Sequence, residues 1–174
     1  MKFTELLTVY WSQVLIVLAG LGYLLKRILD LRSKKTETNH SLFQQNRLSA
    51  VNRFFENYSK SELMWNQIAI YDILERKLSA KEIDKIIFPV LNELDKNLLE
   101  LMIYFDEKEL RNFKIIVENI KTINQALSNI YFDYDREKTI SNKTSEFALA
   151  KNKALISNNK ILIELAKTIR QTFK

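Results

Sequence analysis

The sequence predicts an all-α protein, with one N-terminal transmembrane helix followed by a cytoplasmic antiparallel helical bundle of about four helices. Three observations predict it. The 174 residues include only two Gly and one Pro, too few for the turns of a loop-rich or all-β chain. Apolar residues recur at spacings of three and four over most of the chain, the period of an amphipathic helix. Residues 6–25 carry no charge at all. At about 1.5 Å per residue such a run is about 30 Å long, the thickness of a bilayer's hydrocarbon core.

The first element is the membrane span. A cleaved signal peptide would carry its positive charge before the apolar run and a small-residue cleavage site after it. Here Lys26, Arg27, Arg32, Lys34 and Lys35 follow the run, and only Lys2, offset by Glu5, precedes it. The basic flank places the N-terminus outside and the remainder in the cytoplasm, with Tyr10, Trp11 and Tyr23 as interface anchors. Residues 1–35 thus form the membrane segment with its flank, residues 36–174 the cytoplasmic helical domain, and residues 33–40 the joint between them.

Residues 41–78 place Leu42, Phe43, Leu48, Val51, Phe54, Phe55, Tyr58, Met64, Ile68, Tyr71, Leu74 and Leu78 at helical spacing. This predicts one long helix or two in line, weakest at residues 57–61. Ser79 with Glu82 reads as a capping box opening the next helix, in which Pro89 marks a kink or a division. Asp106 with Glu109 repeats the box before Leu110, Phe113, Ile116, Val117, Ile120, Ile123, Leu127 and Ile130. Residues 133–142 hold few apolar side chains and read as the main loop. Ser141 then opens a last helix through Phe147, Leu155, Ile161, Leu162, Leu165, Ile169 and Phe173. In Tyr131-Phe132-Asp133-Tyr134-Asp135, a helix stop packed by its own aromatics outweighs a cation or partner site.

Most chemistry is excluded by composition. There is no Cys and a single His, which removes disulfides, thiol nucleophiles and Cys- or His-rich metal sites. Both glycines, Gly20 and Gly22, lie in the apolar run, so no glycine-rich phosphate loop exists. His40 has no companion ligand or base. Acidic pairs such as Asp72 with Glu75, and Asp106 with Glu109, fall on helix surfaces or starts, where they serve solvation and the helix dipole. No enzyme, metal or cofactor is expected. A chain of this kind acts by binding, tethering or conducting.

Two features carry that expectation. Gln13, Gly20 and Arg27 lie seven residues apart on one helix face, with Leu6 and Lys34 on the same line and Ser12, Ala19 and Lys26 beside it. A lipid-facing Gln is unfavourable and small residues admit a neighbouring backbone, so Gln13, Gly20, Ser12 and Ala19 are assigned to a helix seam or pore. Self-association then brings Arg27, Lys34 and Lys35 to a cytoplasmic mouth, where an anion relieves their repulsion. The second feature is the distribution of the net charge of +6: two basic ends enclose a slightly acidic middle. At the C-terminal end, Lys143, Lys151, Lys153, Lys160, Lys167, Arg170 and Lys174 face only Glu146 and Glu164. Lys153, Lys160 and Lys167, seven apart, form a line suited to nucleic-acid phosphates or lipid headgroups, or to plain solvation. Arg47 and Arg53 with Phe43, Phe54 and Tyr58 supply the basic and aromatic mixture that single-stranded nucleic acid favours, although those aromatics have the spacing of a buried stripe.

This plan of a short external N-terminus, one transmembrane helix, a basic flank and a small helical cytoplasmic domain resembles the single-pass membrane effectors of bacterial anti-phage systems. It is most similar to the Hailong-type effectors. The likeness is architectural and spans the whole chain; no residue is carried over from it. It implies a tetrameric channel in the bacterial inner membrane, gated by single-stranded DNA oligomers from a partner nucleotidyltransferase. The expected function is therefore a homo-oligomeric channel that depolarises the membrane and whose cytoplasmic domain senses an anionic ligand, single-stranded DNA or a nucleotide. The anion contacts are assigned to Arg47, Arg53, Lys153, Lys160 and Lys167. The competing expectation is a non-conducting, membrane-tethered adaptor that holds a cytoplasmic partner.

Overall fold

The structure is a computed structural model; it describes residues 3–133 and 139–172, with side chains for residues 10, 11, 13, 15–133 and 139–170. Five helices follow in order, with no strand among the described residues: α1 (Phe3–Gln67), α2 (Ile70–Leu74), α3 (Ala80–Tyr104), α4 (Glu107–Phe132) and α5 (Ile140–Thr172). The contacts divide the chain into two units, Met1–Asn46 and Arg47–Lys174.

Within Met1–Asn46 the chain is one helix throughout its described length. The joint expected at residues 33–40 is helical instead. No Gly or Pro lies there, and Thr36 Oγ1 bonds back to the helix, donating to the Arg32 carbonyl at 3.0 Å. Every described side chain from residue 10 to 43 is exposed. Among the described residues no helix is long and apolar enough to cross a membrane. The span expected over residues 6–25 gains no support from them; Leu6, Val9, Ser12 and Val14 of that run have side chains outside the described set.

The second unit is a four-helix bundle made of the end of α1, α3, α4 and α5. Neighbours run antiparallel. Arg53 of α1 meets Glu100 of α3 and Asn57 meets Asn97, so α1 and α3 pass in opposite directions. Likewise Asn119 of α4 bonds Asn158 of α5 at 2.7 Å, while Lys143, at the start of α5, donates to the Asp133 carbonyl just past the end of α4, at 2.6 Å. The two-residue link Phe105–Asp106 between α3 and α4 is the length an antiparallel helix pair needs. The core is apolar and continuous across the four helices, with Phe54, Trp65, Leu94, Phe113, Ile116, Ile120 and Phe147 among its members. Phe54 packs edge-on against Phe113 with ring centroids 4.9 Å apart, a favoured aromatic geometry.

The helix starts follow their caps. Ser79 with Glu82 and Asp106 with Glu109 both form complete capping boxes, each satisfying two orphan amides of a first turn. Helix α5 begins earlier than the cap expected at Ser141. Thr139 accepts the Asn142 amide on Oγ1 at 3.2 Å and the Lys143 amide on its carbonyl at 3.1 Å, so Thr139 is the cap and residues 140–142 are helical; the rest of the loop, including Tyr134 and Asp135, lies outside the described residues. Pro89 neither ends nor divides α3. It and Lys85, whose carbonyl it leaves without an amide, are both exposed residues. The weak point expected at residues 57–61 is helical, and the break falls at residues 68–69. There the Ile70 amide turns back to the Ile68 carbonyl at 2.9 Å. A second turn after α2 holds Arg76 at φ 57°. Its guanidinium lies over the Tyr131 ring, 5.2 Å from the centroid, and donates to the Tyr131 carbonyl at 3.2 Å.

Candidate functional site

Two surfaces carry the residues singled out from sequence, and each belongs to one unit. In Met1–Asn46, Gln13, Ala19, Gly20, Arg27, Lys34 and Lys35 are all exposed along α1; the side chain of Ser12 is outside the described residues. A methyl group placed on Gly20 or Gly22 meets nothing within 4 Å, so neither glycine serves packing within this chain. Large apolar side chains stand beside them uncovered: Ile16 is 72% exposed and Leu25 62%. Among the described residues no carboxylate lies within ion-pair distance of Lys26, Arg27, Arg32, Lys34 or Lys35.

In the bundle the five basic residues expected to meet an anion separate into two groups. Arg47 and Arg53 are each held by a carboxylate. Arg47 is buried, pairs with Glu109 at 2.5 Å and lies 4.2 Å above the Phe105 ring centre. Arg53 is half exposed and grips both oxygens of Glu100, Nε donating at 3.0 Å and Nη2 to the other oxygen. The Arg53 hydrogen bond holds the Glu100 carboxyl below the usual carboxylate range, against a smaller opposing push from burial. Of the accompanying aromatics, Phe54 and Tyr58 are core and Phe43 is exposed.

Lys153, Lys160 and Lys167 form the other group. All three are exposed on one face of α5 with no carboxylate at ion-pair distance among the described residues. Lys174, at the end of their line, is outside the described residues. Lys143 and Lys151 are drawn into the bundle, by the Asp133 carbonyl and by Asn66 Oδ1 at 3.3 Å. Beside the three lysines stand Leu149, Ile156 and Ile163, exposed by 73%, 57% and 60%. That stripe was overlooked in the sequence, although its own spacing of seven would have shown it.

An open cavity of about 420 Å³ between the start of α4 and the end of α5 also has no sequence signal, because Phe105, Lys108 and Asn112 meet Leu165, Thr168 and Ile169 only in the fold. The acidic pairs singled out from sequence are engaged within the chain. Asp72 and Glu75 both hold Lys77, at 3.1 and 2.6 Å, and Asp106 and Glu109 cap α4. Among the described residues no three acidic or histidine side chains gather as metal ligands, and His40 is exposed. The buried polar groups serve packing. Asn158 accepts from Asn119 and donates to the Ile116 carbonyl at 3.3 Å. Burial pushes the nearby Tyr58 phenol up to about 12; the Glu62 charge adds to this, and Asn158, which faces the phenol without an aligned hydrogen bond, opposes it.

No protein-family model, curated protein or solved structure matches this chain.

Proposed function

We propose that this chain is a homo-oligomeric, single-pass membrane effector: a ligand-controlled ion channel of the bacterial inner membrane whose helical bundle reads an anion on the cytoplasmic side. The observation that carries the reading is the bare first unit, in which every described side chain of residues 10–43 is exposed and large aliphatic and aromatic groups have no cover from their own chain. An apolar surface of that extent is stable only against lipid or further copies. The uncharged run 6–25 and the basic flank behind it supply the length and polarity of a span with its N-terminus outside.

Exposed Gln13, Ala19 and Gly20 on that helix are available to the same face of a second copy, with Ser12 adjacent in sequence. Assembly through them puts a Gln13 ring in the seam and Arg27, Lys34 and Lys35 at the inner mouth. Opening such a pore collapses the membrane potential and arrests growth. The anti-phage setting, the tetramer and a nucleotidyltransferase partner supplying single-stranded DNA rest on the resemblance in plan alone. The test is ion flux from liposomes holding the purified chain. A conductance that changes with a single-stranded DNA or nucleotide ligand is expected. Its complete absence, with the chain inserted, leaves the tethered adaptor as the function. A Gln13→Leu variant that retains assembly and toxicity removes the polar ring.

A further inference from the structure

We infer that the outer face of α5 docks on an anionic membrane surface, with Lys153, Lys160 and Lys167 meeting lipid phosphates while Leu149, Ile156 and Ile163 enter the boundary between headgroups and acyl chains. The argument starts from the order of stripes around the helix. At 100° per residue, Leu149, Ile156 and Ile163 fall within about 40° of one another, and the three lysines occupy the adjoining arc of about 40°. All six are exposed on the finished bundle, with no partner in the chain to cover the aliphatic groups. Each stripe repeats at about 10.5 Å and spans about 21 Å, so together the three aliphatic and three cationic groups cover about 27 Å of a straight helix.

Three occupants compete for such a face. A second α5 fits poorly, because the acidic residues of this face, Glu146 and Glu164, lie on the far side of the lysines from the aliphatic stripe; a seam centred on that stripe brings lysine towards lysine. Single-stranded nucleic acid matches the charge but not the centre, since stacking needs aromatic rings and the exposed large apolar groups here are Leu and Ile. An anionic bilayer matches both: aliphatic groups at the boundary, with long lysine stems reaching past them to phosphate. This goes beyond the channel reading and rests on it only in placing the bundle beside a bilayer.

The chain has no cysteine, which allows single reporters. An environment-sensitive dye is attached through Asn159→Cys at the aliphatic edge of this face, through Thr122→Cys on the exposed side of α4, or through Leu18→Cys on α1, each in the full chain. The probes are phosphatidylcholine vesicles with brominated acyl chains, with and without phosphatidylglycerol. The dye at 159 is expected to shift to the blue and be quenched only when phosphatidylglycerol is present, and the dye at 122 to stay aqueous. Each surface lysine contributes about a fivefold preference, so joint replacement of Lys153, Lys160 and Lys167 by Gln lowers the docked-to-free ratio about a hundredfold. A dye at 159 that remains aqueous on anionic vesicles overturns the inference, as does quenching indifferent to the three lysines. Single-stranded DNA that binds through these lysines while vesicles leave position 159 aqueous overturns it in favour of nucleic acid. Quenching at 18 without quenching at 159 refutes the docking face and spares the membrane span; the converse refutes the span and spares the docking face.

Discussion

Replacing Arg47 by Ala separates a structural arginine from an anion contact. Three losses add up. The guanidinium leaves the Phe105 ring 4.2 Å away, an interaction of about 1 kcal/mol at a partly buried site. Its ion pair goes too, but the Glu109 side chain is 35% exposed and rehydrates, so that term is only about 1 kcal/mol. The buried aliphatic stem contributes about 1 kcal/mol more through lost packing. The total of about 3 kcal/mol corresponds to a fall in Tm of about 6–12 °C for a chain of this size. Arg47→Met keeps the stem volume and should recover about a third of the loss. The assay is thermal unfolding of the full chain in detergent, followed by helical circular dichroism, beside a single-stranded DNA binding titration on the same samples. An Arg47→Ala protein with unchanged Tm and abolished DNA binding refutes the assignment, because the arginine would then be facing a ligand and not Glu109.

Four further outcomes are expected. Asn158→Ala removes both hydrogen bonds of a fully buried amide and should destabilise by about 2–3 kcal/mol in urea unfolding, whereas Ser157→Ala, which costs Asn119 only its weaker partner at 3.2 Å, should cost less than about 1 kcal/mol. Ser79→Ala breaks the capping box of α3 and should cost about 1 kcal/mol by the same measurement. The Glu100 carboxyl titrates below its ordinary range in the folded chain, so its contribution is full above the unfolded pKa and is lost as pH falls through the lower folded value; Glu100→Gln should flatten the decline in Tm on acidification below about pH 4.5. The Tyr58 phenol is raised to about 12, so its contribution is complete below the unfolded value near 10 and disappears as pH climbs through about 12. Ultraviolet titration should show a late tyrosinate component that Tyr58→Phe deletes.

How much of this was legible in the sequence depends on whether the cause was local. The boxes at Ser79 and Asp106 involve residues three apart, so spacing alone found both. The helix break did not behave that way. Asn57 and Ser61 look like breakers, but Asn57 is satisfied by Asn97 across the bundle and Ser61 by the Tyr58 carbonyl one turn back, so the helix passes through them and breaks only at residues 68–69, where no Gly or Pro marks the place. The start of α5 shows the same limit on a smaller scale, Thr139 and Ser141 being equivalent caps until the fold chooses one. Among the site residues, the lysines at 153, 160 and 167 are all exposed on α5, where their period puts them on one line, while the pairing of Arg47 and Arg53 is hidden in the sequence because their carboxylates, Glu109 and Glu100, are far along the chain.

By itself the sequence determined the helical class, the two capping boxes, most of the core stripe and the separation of charge into two basic ends. These follow from period and short-range hydrogen bonding, which are properties of neighbours along one helix. Only the tertiary structure decided which cations remain available. Arg47 and Arg53 are paired with carboxylates on α4 and α3, and Lys143 and Lys151 donate to the Asp133 carbonyl and the Asn66 amide oxygen, whereas Lys153, Lys160 and Lys167 stay open beside an uncovered aliphatic stripe. The reason is Coulombic and geometric: a charge is consumed or left free by what lies within about 4 Å of it, and across a bundle that neighbour comes from residues tens of positions away.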